Sequence, residues 1–457
     1  MSNKNNIRKH LCADSLIKQL KNYFGEIPDQ RANNIKFELP EILMSAYAMF
    51  SLKYESLLQF DKERLEESKI NNIKSVYQID KVPCDSQMRN LLDIIDPNKL
   101  RPAFKKIFAY LQRGKVLEKM NYFEDYYLLS LDGIEVYKSE KVFSDKCLSR
   151  KRRDGTIEYY QQFLGAVIVH PERREVIPLC PEMIIKQDGS EKNDCERNAA
   201  KRFLEKYRRE HPHLKTIVIE DALAANAPHL EKLKEHDCRF IIGTKPKGNK
   251  FLFDHVERKL KENSNDVVEF EYEEIVTLNP AGRKRKKPKK VIHKFRFMNN
   301  IPLNESNQDV KVNFLDYWEI DEENEKTKHF SWITDIEITK ENSYKLMRSG
   351  RSRWKIENET FNTLTNQGYN LKHNYGLGEK YLSTNFILLM MLAFLVDQVQ
   401  QLCCPLFQAA LEKLGAKKYL WRDIIASFLK FEINSVQTML EVIVYGIKRQ
   451  PPDILYE

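Results

Sequence analysis

No CxxC pair occurs among the eight cysteines of this 457-residue chain (Cys12, Cys84, Cys147, Cys180, Cys195, Cys238, Cys403 and Cys404). Their scatter argues against a zinc ribbon and a disulfide framework, and fits a reducing cytoplasm. No charged-then-apolar signal segment opens the chain. The longest apolar run, FILLMMLAFLV from Phe386 to Val396, is shorter than the about 20 residues that a bilayer crossing takes. It reads as a buried helix, so no membrane partner is expected. There is no internal repeat and no low-complexity tract. His170 and His373 each lack a second histidine at ligand spacing, which argues against histidine-based hydrolysis.

What is present points to a globular protein, with 42% hydrophobic and 31% charged residues. The length sets a prior of about two to four domains. The formal charge of +9 is modest, but it is concentrated in RKRKKPKK (Arg283 to Lys290) and RKRR (Arg150 to Arg153). Each run reads equally as a solvated loop, a nuclear address or a nucleic-acid contact. Up to about Tyr122 the pattern is helical, as in LPEILMSAYAMFSLKYESLLQF, SQMRNLLDII and DPNKLRPAFKKIFAYL. Basic residues such as Arg89, Lys99, Arg101 and Lys105 sit at polar positions of these helices, so the segment reads as a DNA-binding module or a plain helical cap.

The period then changes. DYYLLSLDGIEVYKSEKVF, YYQQFLGAVIVH and REVIPLCPEMII read as three strands. A helix (Cys195 to Glu210), the strand KTIVIED, a helix (Asn226 to His236) and the strand RFIIGTK follow. That order is the one expected of a ribonuclease-H-like α/β core. A β-rich, basic insertion comes next, before the chain returns to the sheet and ends in helices. The expected division is an N-terminal helical region (1–124), the core's first part (125–250), the insertion (251–335), the core's final part (336–378) and a C-terminal helical region (379–457).

The segment Lys345 to Leu364, KLMRSGRSRWKIENETFNTL, places Trp354, Glu357, Phe361 and Leu364 on one helical stripe. A carboxylate on an apolar stripe is costly unless paired, and a metal ion is one such partner. Lys345, Arg348, Arg351, Arg353 and Lys355 crowd the same segment, which suggests metal-dependent chemistry on nucleic acid. Asp132 ends the strand LLSLD, and Asp221 ends TIVIED. Taken singly, such acids are often turn or cap residues. On neighbouring strands of this core their carboxylates lie side by side, and a later helix delivers Glu357. Three such acids could hold two divalent ions about 3.5–4 Å apart, and hard oxygen ligands suit magnesium or manganese. Strand and helix periods select Asp221 over Glu220 and Glu357 over Glu359. GTKPKGNK (Gly243 to Lys250) lacks phosphate-loop order and reads as a DNA-contacting loop, with Lys245 and Lys247 as contacts.

LSLDGIE around Asp132, VIEDAL around Asp221 and RSRWKIENETFNTL around Glu357 together resemble insertion-sequence transposases with an Asp-Asp-Glu active site. The resemblance is to the group with a Tyr-(2)-Arg-(3)-Glu-(6)-Lys signature. PCDSQMRNLLD, FIIGTKP and NLKHNYGLG add to the likeness, which runs from about Ala46 to Val399. It implies a cut-and-paste DNA transposase that nicks element ends with Mg2+ (or Mn2+), two ions, and transfers the strand into target DNA. The implied partners are terminal inverted repeats, target DNA and a second protein copy in a synaptic homodimer, with a cytoplasmic, nucleoid-associated location. Asp132, Asp221 and Glu357 would be the metal-binding triad and Arg353 the signature arginine on DNA phosphate, helped by Arg351, Lys345 or Lys372. Trp332, with Trp318 behind it, would stack a flipped base or be a core tryptophan. Gly350 stands where the signature has tyrosine, and Leu364 where it has lysine. The competing expectations are an inactive DNA-binding relative and a nuclease of the same fold that cuts without joining.

Overall fold

The computed structural model describes residues 10–29, 31, 35–186, 193–276 and 289–446. Twelve strands are described: β1 Asn121–Phe123, β2 Tyr126–Ser139, β3 Leu148–Lys151, β4 Ile157–Val169, β5 Ile177–Pro178, β6 Glu182–Ile184, β7 Thr216–Glu220, β8 Cys238–Gly243, β9 Val267–Val276, β10 Lys289–Asn304, β11 Asn307–Asp321 and β12 Lys326–Thr334. They form one sheet in the order β3-β4-β2-β7-β8-β12-β11-β10-β9, with β1 on β2 and both β5 and β6 on β4. The β2, β7 and β8 strands run parallel, and every other pairing is antiparallel. The protein is thus a mixed α/β fold.

The β7 sequence TIVIE is buried along its whole length, as a parallel strand must be when helices cover both faces. Helices Glu196–Glu210 and Ala227–Glu235 pack beside each other and onto β4, β6 and β8, while helix Lys340–Arg351 packs on β7, β8 and β11. The strands of the basic insertion lengthen the same sheet rather than forming a second one. Trp332, Ile333 and Thr334 of β12 pair with Gly243, Ile242 and Ile241 of β8. The stretch REVIPLCPEMII, expected as one strand, is two short ones, because Pro178 and Pro181 offer no backbone N–H to a ladder.

Helices precede the sheet and follow it. The expected Leu39 to Phe60 helix is broken into Leu39–Ser51 and Leu57–Glu63. Lys53 takes a left-handed φ of 60° at the break, and Ser56 caps the second piece by accepting from the Gln59 N–H. The break lets Lys53 Nζ meet Asp397 at 2.7 Å, between the rings of Tyr369 and Trp421. Asp397 belongs to helix Leu382–Cys403, which is long and apolar enough to cross a bilayer but is mostly buried inside the fold. Polar side chains register this helix. Asn385 donates to the carbonyls of Leu92 and Ile95, and Gln398 accepts from the Val176 N–H beside β5.

The basic runs fare differently. In RKRR, Arg150 pairs with Glu135 and Glu158, and Arg152 with Glu140 and Glu158. Those acids lie on or beside neighbouring strands, so much of the run's charge is answered within the sheet. RKRKKPKK lies almost wholly outside the described residues.

Candidate active site

The parallel register of β2 and β7 sets Leu129 opposite Val218 and Ser130 opposite Ile219. Continued two residues, it brings Asp132 beside Asp221 at the carboxyl end of β7. Asp132 Oδ1 accepts from the Gly133 N–H at 2.9 Å. Asp221 Oδ1 accepts from the Leu223 N–H at 2.9 Å, so Asp221 also caps the short turn Ala222–Ala224.

Glu357 arrives on a segment that is not a regular α-helix. The helix Lys340–Arg351 ends in a turn, and Ile356–Phe361 is wound as a π-helix, a form often found at functional sites. Three contacts seat this segment on the sheet. Ser130 Oγ donates to the Arg353 carbonyl at 3.2 Å. Lys355 Nζ donates to the Arg173 carbonyl beyond β4. Phe361 lies on Gly165 of β4, where a Cβ would come within 2.7 Å of its ring. Gly165 is the residue paired with Asp132 across β2 and β4, so the glycine opens the space that brings Glu357 to Asp132.

The expected stripe is therefore re-phased. Lys355, Ile356, Phe361 and Leu364 are buried, while Trp354 is 47% exposed and the Glu357 side chain 51% exposed. Glu357 reaches the site at its surface, not from an apolar face.

Arg353 ties the acids together. Its Nη1 donates to Asp132 Oδ2 at 3.0 Å and its Nη2 to Glu357 Oε1 at 2.7 Å. Burial alone would depress Arg353; its bond to Glu357 and the charges of Asp132, Glu357 and Asp221 hold it above the usual guanidinium value. The Asp132 carboxyl is pushed up to about 6. Burial is the largest cause, Arg353 opposes it, and Glu357 and Glu196 add to it. Among the described residues, no three His, Cys, Asp or Glu side chains gather closely enough to hold a metal ion. The donor chemistry nevertheless fits one, since Asp132 and Glu357 already share a cation, the guanidinium.

A cavity of about 460 Å³ opens beside the acids, lined by Asp132, Glu196, Glu220, Asp221 and His229 among others. Glu196 was not singled out from the sequence. It begins the helix Glu196–Glu210, accepts from Gln162 Nε2 at 2.6 Å, and lies over Gly133, where a Cβ would come within 2.2 Å of Oε1. The glycine after Asp132 in LSLDG was the available signal, because only a residue without Cβ admits such an approach. Glu220 is buried and bonded to His229 Nε2 at 2.5 Å, so the neighbour of Asp221 is committed elsewhere.

The other expected contacts are spread out. Lys345, Lys372, Lys245 and Lys247 are exposed, the last two in the turn after β8. Arg351 is held by Glu319 of β11 at 2.5 Å and lies over the Phe330 ring. Trp332 is corrected from a base-stacking candidate to a core residue. It is 5% exposed, packed beside Phe330 and directly against Gly350. Trp318 is half-buried, stacked on His329 with Arg296 against its ring.

Residues 173–395 match the family described as Transposase DDE domain. The matched span holds Asp221, Arg353 and Glu357 and begins beyond Asp132. The cryo-EM structure of a piggyBac transposase synaptic complex with hairpin DNA is similar over 99% of this chain and 87% of that chain. Its TM-score is 0.40 and its identity 8%, too loose a likeness to carry an argument about the site. No curated protein matches the chain.

Proposed function

We propose that the protein is a metal-dependent DNA transposase of the insertion-sequence type, cutting element ends and joining them to target DNA. The observation that carries this reading is the meeting of Asp132 and Glu357 at Arg353, with the charge of Asp221 acting on the same guanidinium, in a chain whose residues 173–395 are similar to a transposase DDE domain. On this reading β4, β2, β7 and β8 are a ribonuclease-H-like core extended by the insertion strands.

Asp132, Asp221 and Glu357 would hold magnesium or manganese, hard cations that prefer carboxylate oxygens. When bound, such ions activate a water or 3′-hydroxyl and stabilise the leaving oxygen in phosphoryl transfer. The chain's own residues do the positioning. The β2–β7 register, continued past its last pair, sets Asp132 level with Asp221, and Gly165, Phe361 and Lys355 hold the segment bearing Glu357. Lys345, Lys372, Lys245 and Lys247 supply exposed positive charge for the phosphate backbone. Partners on this reading are terminal inverted repeats and target DNA, with a synaptic homodimer and a nucleoid-associated location.

A second reading, a DNA-binding relative that does not cut, draws on Gly350 and Leu364. Both signature positions are filled by buried residues that cannot contact DNA. The test is incubation with labelled DNA carrying the element's end and flank, with and without Mg2+, beside Glu357→Gln. Mg2+-dependent nicking lost in the variant, followed by joined products, supports the transposase. Cut ends with no joined product indicate a nuclease, and tight binding without cleavage in Mg2+ or Mn2+ favours the second reading.

A further inference from the structure

We infer that Arg353 is a resident counter-ion of the acidic site, displaced when a divalent cation enters. The inference rests on the metal-site reading above and adds an exchange to it. The guanidinium spans Asp132 Oδ2 and Glu357 Oε1, one nitrogen to each, and the charge of Asp221 also acts on it. These carboxylates come from β2 and from the π-helical turn, elements with no covalent reason to stay together. Without a cation between them, their mutual repulsion would work against the contacts that seat the turn on the sheet. Arg353 lies four residues before Glu357 on the same segment, so it supplies that cation locally and in fixed ratio.

The same geometry makes arginine and metal exclusive. A magnesium ion takes its oxygens at about 2.0–2.1 Å, so Oδ2 and Oε1 would have to close on the space the guanidinium fills. The fork holds them apart, in keeping with the absence of any three-acid cluster among the described residues. Metal entry therefore frees the guanidinium. Its side chain is about a quarter exposed, and a planar fork released at the mouth of the site matches a phosphate oxygen pair. Charge at the acids is conserved in kind, with one cation replacing another, and a DNA-directed arginine becomes available only once the metal is in place.

The test is Mn2+ binding to the full chain without DNA, by titration calorimetry and by thermal unfolding, for the unchanged protein, Arg353→Gln and Arg353→Lys. Asp132→Asn and Glu357→Gln serve as controls. Arg353→Gln is expected to bind Mn2+ about tenfold more tightly, since hydrogen bonds to a charged partner no longer have to be given up. It should also melt at lower temperature than the unchanged protein without metal, with the gap closing in saturating Mn2+. Arg353→Lys, which keeps the charge but not the fork, should fall between and keeps the test open if the glutamine variant does not fold. Equal or weaker Mn2+ affinity in the Arg353 variants, with binding still lost in the two controls, overturns the exchange alone. No Mn2+ binding, or binding indifferent to Asp132→Asn and Glu357→Gln, overturns the metal-site reading itself.

Discussion

Replacing Gly350 tests its packing against Trp332. A Cβ at Gly350 would lie 2.4 Å from Trp332 Nε1 and 2.6 Å from Cε2, so one of the two must move. Trp332 has little room, being 5% exposed on β12 with its backbone opposite Gly243 and its ring beside Phe330. Gly350 lies within helix Lys340–Arg351 at an ordinary negative φ, where alanine alone would be worth about 1 kcal/mol more than glycine. Overpacking a filled interior costs about 1–3 kcal/mol. The two terms leave Gly350→Ala destabilising by about 1 kcal/mol on balance. The assay is denaturant and thermal unfolding of Gly350→Ala, Trp332→Leu and the double variant. Trp332→Leu should be costly by itself, about 2–4 kcal/mol, through lost contacts. In that background Gly350→Ala should turn stabilising, because the helix preference remains and the clash does not. A Gly350→Ala protein as stable as the original, or effects that simply add, would refute the close approach.

Two further expectations concern acid stability and DNA contact. His211, packed on Phe108 at 4.4 Å, is held down to about 4, first by burial and then by Lys105, Arg208 and Arg101. Its neutral form is the folded one, so its stabilisation is whole above about pH 6.5 and is lost as pH falls towards 4, by at most about 3 kcal/mol. Acid unfolding of His211→Phe should lack that slope, and an unchanged pH profile would exclude the group. Trp354 is the one exposed tryptophan of four, so Trp354→Ala should leave the melting temperature unchanged while weakening binding to DNA with an unpaired end by about 1–3 kcal/mol. Equal loss of binding and of folding would show that Trp354 serves packing instead.

Much of the fold was legible because period and burial agree. The TIVI run marks a strand covered on both faces, and Asp221 stands just past the end of β7, whereas Asp132, read as a strand end, lies within the longer β2, whose ladder with β4 continues to Ser139. Other features depended on partners that linear order hides. The acids answering RKRR are cross-strand residues, and the fit of Trp332 against Gly350 joins β12 to a helix that follows it. Trp354 misled for a definable reason: the 3.6-residue period was carried through a turn and a π-helix, which turn the indole out and Lys355 in. Glu357 was selected by that same stripe and still meets Asp132 through Arg353, although it is exposed. What ties it to Asp132 is the arginine four residues earlier, not the burial that the stripe implied.

That dependence bears on which positions around the site tolerate substitution. Gly350 and Leu364 face protein: one meets the Trp332 indole and the other is wholly buried. Replacements there can be compensated by neighbouring volume, as Trp332 fills the room over Gly350. Arg353 has no such latitude, because it answers two carboxylates from different elements at 3.0 and 2.7 Å. Losing the guanidinium would leave like charges facing each other in a partly buried setting, where repulsion is screened less than at full exposure. Substitution at Gly350 or Leu364 would therefore act through packing, whereas substitution of Arg353 would change the site's charge in the same step.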